Sequence, residues 1–204
     1  ILKGSAKVTT DALEDEKIFK AFQLANLAMF IQQVSGGSIE KAIIENGKIS
    51  YSTSAEKLTD LKTITELRKI FASFNKGYWR AFQIAFLLMS LPSLPKKAFS
   101  EREIADLIWF PTGGGKTEAY LGYAATTILY NRLIDSNDCG TDVLMRYTLR
   151  LLTADQFQRS ARLICALELI RRKNPILLGD KEISIGLWVG QKNTPNKIDK
   201  ALEQ

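Results

Sequence analysis

Apolar positions in the first part of the chain keep a helical rhythm. Ile18, Phe22, Ala25 and Met29 recur at i, i+4, i+7 and i+11, and Asp11 followed by Glu14 fits a capping box. This predicts a helix over 11–35, stopped by Gly36-Gly37. Between Ile43/Ile44 and Ile49/Tyr51 lies Glu45-Asn46-Gly47-Lys48, whose Asn-Gly step suits the left-handed angles of a tight hairpin turn. Helical period returns over 55–75, where Ile64, Leu67, Phe71 and Phe74 share a face, until Gly77 breaks it. Residues 78–91 are apolar on nearly all sides, which predicts a buried helix ended by Pro92 and Pro95. A charged connector, Lys96 to Arg102, follows.

The pattern then changes. Short apolar runs at 106–110, 143–149 and 184–189 read as strands. Between them lie helical stretches from Lys116 to about Leu133 and from Thr153 to Arg172, the second opened by a Thr153/Gln156 capping box. Strand and helix alternating at this spacing predict βαβ units and a parallel sheet, hence an α/β fold. The expected organisation is a helical N-terminal region over 1–77 and an α/β lobe over 78–204.

Composition narrows the function. The balance of 46% hydrophobic and 25% charged residues is that of a globular chain, and 204 residues fit one domain or a little more. With no histidine, His-dependent triads, His general bases and imidazole metal sites are excluded. Two cysteines, Cys139 and Cys165, are too few for a disulfide framework or a Cys-rich zinc site, and Cys165 sits among apolar neighbours, as a core residue would. The longest near-unbroken apolar run, Ile84 to Leu91, falls far short of the ~18 residues of a membrane span. These features predict a reduced, cytoplasmic protein without a membrane segment. The opening Ile-Leu-Lys-Gly, without an initiator Met, predicts a piece of something larger.

The strongest chemical signal is Phe110-Pro-Thr-Gly-Gly-Gly-Lys-Thr117. Gly113, Gly114 and Gly115 can turn successive backbone N–H groups toward an anion. Lys116 supplies a cation for the outer phosphates of ATP, and Thr117 a hydroxyl for Mg²⁺. The helix that follows presents its N-terminus to the same phosphates. The general P-loop pattern places Gly where Phe110 stands and so fails; the form Pro-Thr-Gly-x-Gly-Lys-Thr resembles that of superfamily-two helicases. The plainer alternative is a Gly-rich turn without a ligand. Upstream, Arg80-Ala-Phe-Gln83 resembles the adenine-reading glutamine motif of the same helicases, since an amide can donate one hydrogen bond to adenine and accept another. The alternative is a polar side chain capping a buried helix.

Residues 146–173 hold seven basic residues (146, 150, 159, 162, 171, 172, 173) against two acidic ones (155, 168), or +5 of the net +6 charge. Arg146, Thr148, Arg150, Thr153 and Gln156 are the candidates for contact with a nucleic-acid backbone, Thr153 because it opens a helix whose N-terminus can receive a phosphate. A solvated basic helix face is the alternative. Trp109, Phe110, Tyr120 and Tyr123 read as packing around the loop.

The segments YWRAFQIAFLLMSL, LIWFPTGGGKTEAYLGYAA, VLMRYTLRLLTADQFQRSARLICALELIR and SIGLWVG with Thr194-Pro-Asn196 resemble the large helicase subunits, of the DrmA type, of DISARM anti-phage systems. The resemblance spans roughly 78–196. It implies a RecA-like ATP-binding lobe and an ATP-dependent, DNA-acting helicase or translocase working with partner subunits against phage DNA. It also implies that residues 113–117 form the phosphate loop, Arg80 and Gln83 the adenine motif, and 148–156 the first nucleic-acid contact. No Asp-Glu pair occurs after residue 117, so the metal-holding acid of such a motor is missing from the chain, which is expected to be inactive alone. Two other classes stay open: a small-molecule P-loop phosphotransferase, and a non-catalytic nucleic-acid-binding domain.

Overall fold

The structure, a computed structural model, describes residues 11–35, 43–45, 48–50, 78–95, 105, 107, 109, 113–146 and 150–188, with backbone alone at 34–35, 43–45, 48–50 and 150–154. The helix expected over 55–75 lies outside the described residues, as do Phe110, Thr112 and Thr148.

The first helix is broken in two. Residues 11–14 form a helical turn, and α1 (Glu16–Ser35) starts afresh after Asp15. Asp15 Oδ1 accepts from the backbone N–H of Lys17 at 2.9 Å and of Ile18 at 3.1 Å, so Asp15 rather than Asp11 caps the long helix. β1 (Ile43–Glu45) pairs antiparallel with β2 (Lys48–Ser50), Glu45 opposite Lys48, as the hairpin expected from the sequence requires.

Helix α2 (Ala81–Ser90) runs into a 3₁₀ turn (Leu91–Ser93) at Pro92. It is not buried all round: Gln83 and Leu87 are its buried residues, whereas Met89 is 67% exposed. α3 (Lys116–Ile134) follows the glycine turn, and α4 (Arg150–Lys173) and the single turn α5 (Pro175–Leu178) complete the described helices. α4 begins three residues before Thr153, which lies inside the first turn rather than at the cap.

Among the described residues the parallel sheet of the expected RecA-like α/β lobe is not formed. Among the described residues the one sheet is the β1–β2 hairpin. Residues 105, 107 and 109, 141–146 and 182–188 are irregular, with Leu107 and Trp109 almost fully exposed. A strand exists only through a ladder, and the ladder formed among the described residues is β1–β2. The apolar helix faces close on one another instead. α1 packs along α3 and against α4, and Ile18, Ala21, Ala25 and Ala28 join Leu121, Ala125, Leu129, Leu163, Leu167 and Ile170 in one core. Ala21, Ala25 and Ala28, at i, i+4 and i+7, keep the α1 face small, which lets the helix axes come close. No helix among the described residues is long and apolar enough to cross a membrane.

The C-terminal end of this bundle is tied by arginines. Arg132, buried in α3, donates to the carbonyl of Glu182 at 3.0 Å, and Arg171 donates to the carbonyl of Gly179 at 2.7 Å. Gly179 has φ +75°, and a Cβ there would lie 2.0 Å from the carbonyl oxygen of Ser136, so only glycine fits.

Candidate functional site: a glycine turn held from behind

The head of α3 is built by two left-handed glycines. Gly113 has φ +79° and Gly115, the N-cap of α3, has φ +88°. Such angles are strained for any residue with a Cβ, which is why glycines stand here. Lys116 and Thr117 are the first two residues of the helix and are half-buried.

Two side chains from the start of α2 grip this turn. Arg80 Nη1 donates to the carbonyl of Gly114 at 2.7 Å, and Gln83 Nε2 donates to the carbonyl of Gly115 at 2.7 Å. Gln83 Oε1 in turn accepts the backbone N–H of Arg80 at 2.8 Å, so the same amide also closes the first turn of α2. Its peptide neighbours follow from planarity: in a trans peptide N–H points opposite to the carbonyl before it. With the carbonyls of Gly114 and Gly115 turned toward Arg80 and Gln83, the N–H groups of Gly115 and Lys116 face the other way. The turn therefore has a rear, occupied by side chains, and a front lined by backbone donors, which is the polarity an anion requires.

The grip is itself anchored. Trp79, next to Arg80, donates its ring N–H to Asn26 Oδ1 of α1 at 2.6 Å. Asn26 Nδ2 donates to the carbonyl of Phe22 at 2.7 Å. The indole rests on Gly122 of α3, where a Cβ would come within 2.8 Å of Trp79 Cη2 and 3.2 Å of Leu87. Three helices thus set where Arg80 and Gln83 stand.

Sequence reasoning brought Arg80, Gln83, Gly113, Gly114, Gly115, Lys116 and Thr117 to one place, and the structure assembles them. The second candidate group falls largely outside the described side chains. Arg146 is exposed on an irregular segment, Gln156 is buried, and the side chains of Arg150 and Thr153 and all of Thr148 lie outside the described residues. Several of the arginines that make this stretch basic are paired: Arg159 with Glu118, and Arg171 and Arg172 with Glu168. Cys165 is exposed, not a core residue, because it falls on the outer side of α4. Trp109 is exposed rather than packed beside the loop. Tyr123 packs edge-on to Phe86 and is linked to Ser93 Oγ at 2.7 Å, and it lines with Tyr120 a cleft of about 490 Å³ between α2, α3 and residues 138–145.

The pair missed from sequence is Glu118–Arg159. Glu118 is the third residue of α3, and an acidic residue three after the capping glycine was the available signal.

A helix headed by a left-handed glycine turn with outward backbone donors, and braced by an upstream Arg-x-x-Gln, is an arrangement suited to holding an anion. Known proteins then narrow its kin. No family model matches the chain. Over 196 residues, 93% of its length, the chain is 41% identical to the DISARM protein DrmA of Bacillus paralicheniformis. It spans about 16% of that relative's length. The DISARM resemblance carried by the motifs is thereby borne out: the chain is similar to one segment of a much longer DrmA protein.

Proposed function

We propose that the chain is the phosphate-gripping segment of a DISARM anti-phage defence protein, and that the whole protein is an ATP-dependent DNA helicase or translocase acting with partner subunits. One observation carries this: the carbonyls of Gly114 and Gly115 are pulled back by Arg80 and Gln83, which leaves the N–H groups of the turn facing outward at the head of a 19-residue helix. The donor set fits a polyphosphate. It combines backbone N–H groups, the positive end of α3, the ammonium of Lys116 and the hydroxyl of Thr117. Thr117 would hold Mg²⁺ together with the phosphates, and the metal would supply charge neutralisation there. Gln83 has used one N–H and one lone pair of its amide, and keeps one of each for the adenine edge. Arg146, Arg150 and the first turn of α4 are the proposed DNA-backbone contacts, with Thr148, Thr153 and Gln156 beside them.

The test is Lys116→Ala in the full chain, with ATP titrated into both forms. A charge-assisted contact to phosphate contributes roughly 1.5–3 kcal/mol, so affinity should fall about tenfold or more. Equal affinity of the two forms would remove the assignment.

A further inference from the structure

Glu118 and Arg159 join the first turn of α3 to the middle of α4, with about a quarter to a third of each side chain exposed. Arg159 is held at its backbone as well: Gln32 Nε2 of α1 donates to its carbonyl at 3.1 Å. The guanidinium is thus delivered to Glu118 from a fixed point. The carboxylate it meets lies behind the glycine turn. A Cβ built on Gly115 would stand 3.4 Å from Glu118 Oε2, beside Gln83 Nε2 at 2.8 Å and Arg80 Nη1 at 3.8 Å.

This position creates an electrostatic conflict. A carboxylate in the first turn of a helix is favourable to the helix dipole, yet the same negative charge opposes a polyphosphate arriving on the other side of the turn. Arg159 resolves it by neutralising Glu118 from outside the loop. We infer that Arg159 is a positioning residue for the phosphate site: acting through Glu118, it removes a standing negative charge from the rear of the loop, so that the placement of α4 sets the affinity of the turn for nucleotide polyphosphate. The inference rests on the phosphate-binding role proposed above.

The sign of the effect separates it from a structural role. Arg159→Ala leaves Glu118 unneutralised and should weaken ATP by about two- to fivefold, the range expected of a partly exposed ion pair. Adding Glu118→Gln to that variant removes the offending charge and should return affinity to near the parent value, although a second contact has been deleted. Raising salt should shrink the Arg159→Ala deficit. The experiment is a Mg²⁺-ATP titration of the full chain, of Arg159→Ala, of Glu118→Gln and of the double variant, with denaturant midpoints recorded for each. Recovery in the double variant supports the inference. A double variant as weak as Arg159→Ala, or an Arg159→Ala form with parental affinity, overturns it while leaving the phosphate site standing. Absence of ATP binding by the parent, with Lys116→Ala indistinguishable from it, overturns the phosphate-site proposal and this inference with it.

Discussion

The side-chain amide of Gln83 donates to the carbonyl of Gly115, 32 residues further along the chain, at 2.7 Å. That bond makes the conformation of the glycine turn depend on the register of a helix from a different part of the sequence. It also gives the turn a defined rear, which a glycine run in isolation lacks.

Gly115 and Gly113 should respond differently to the same change. Gly113→Ala meets open space, so its penalty is that of the left-handed angle alone, about 1–2 kcal/mol. Gly115→Ala carries the same angular penalty and also drives a Cβ to 2.8 Å from Gln83 Nε2. Urea midpoints of the two variants should differ, with Gly115→Ala the less stable. Equal midpoints would mean that the Gln83 contact is soft.

Gln83→Ala strands the carbonyl of Gly115 and the N–H of Arg80 in a place where Gln83 itself is only 4% exposed. Leaving buried partners unpaired costs about 1–3 kcal/mol each when fully desolvated, so a clear loss of stability is expected. ATP affinity should drop more than GTP affinity. A parallel drop for both nucleotides would confine Gln83 to bracing the turn.

Glu168 gives the fold a dependence on acid. Its carboxylate accepts from Arg171 Nε at 2.7 Å and Nη2 at 2.6 Å, from Arg172 Nε at 2.8 Å and from the N–H of Ile183 at 3.0 Å. The Arg171 guanidinium is the main cause that holds its pKa down to about 2 from 4.5, with the Ile183 and Arg172 bonds assisting and burial opposing. In this interval the unfolded chain binds the proton and the folded one does not. The contribution is therefore complete above pH 4.5 and is lost as the pH falls through about 2. Its size is about 3 kcal/mol at neutral pH. Melting temperatures from pH 6 to pH 2 should decline in the parent, and the decline should be shallower in Glu168→Gln, which starts lower.

The DNA-contact proposal is tested through salt. Arg146→Ala and Arg150→Ala should each lower the slope of log affinity against log salt by about one unit per lost phosphate contact, without favouring one DNA sequence over another. Unchanged slopes in folded variants would leave these arginines as a solvated face.

Local rules recovered the local features. Asn46-Gly47 announced the hairpin, and Gly115 before Lys116 marked the start of α3, whose end at Ile134 lies one residue beyond the expected Leu133. The convergence of Arg80 and Gln83 on residues 113–117 was legible because two motifs, not one, pointed there. Non-local partners were not legible. An apolar run such as 143–149 or 184–189 does not name the strand that would pair with it, and so a sheet was expected where the described residues 143–146 and 184–188 are irregular, with Leu144 and Trp188 exposed. Cys165 was misplaced for a related reason: its neighbours Leu163 and Ala166 face the core, but one position along a helix turns a side chain by 100°, out of that face. Glu118 and Arg159, 41 residues apart, share no local pattern at all.

Trp79 makes the grip optically visible. The chain has three tryptophans, and the other two, Trp109 and Trp188, are 86% and 73% exposed. Iodide or acrylamide in solution reaches those two freely and extinguishes their emission. The light that survives comes from the indole hydrogen-bonded to Asn26 and seated on Gly122, one residue from Arg80. The molecule therefore carries its own fluorophore at the joint between α1, α2 and α3, and any shift of Arg80 away from the glycine turn should register as a change in that residual colour without a label being attached.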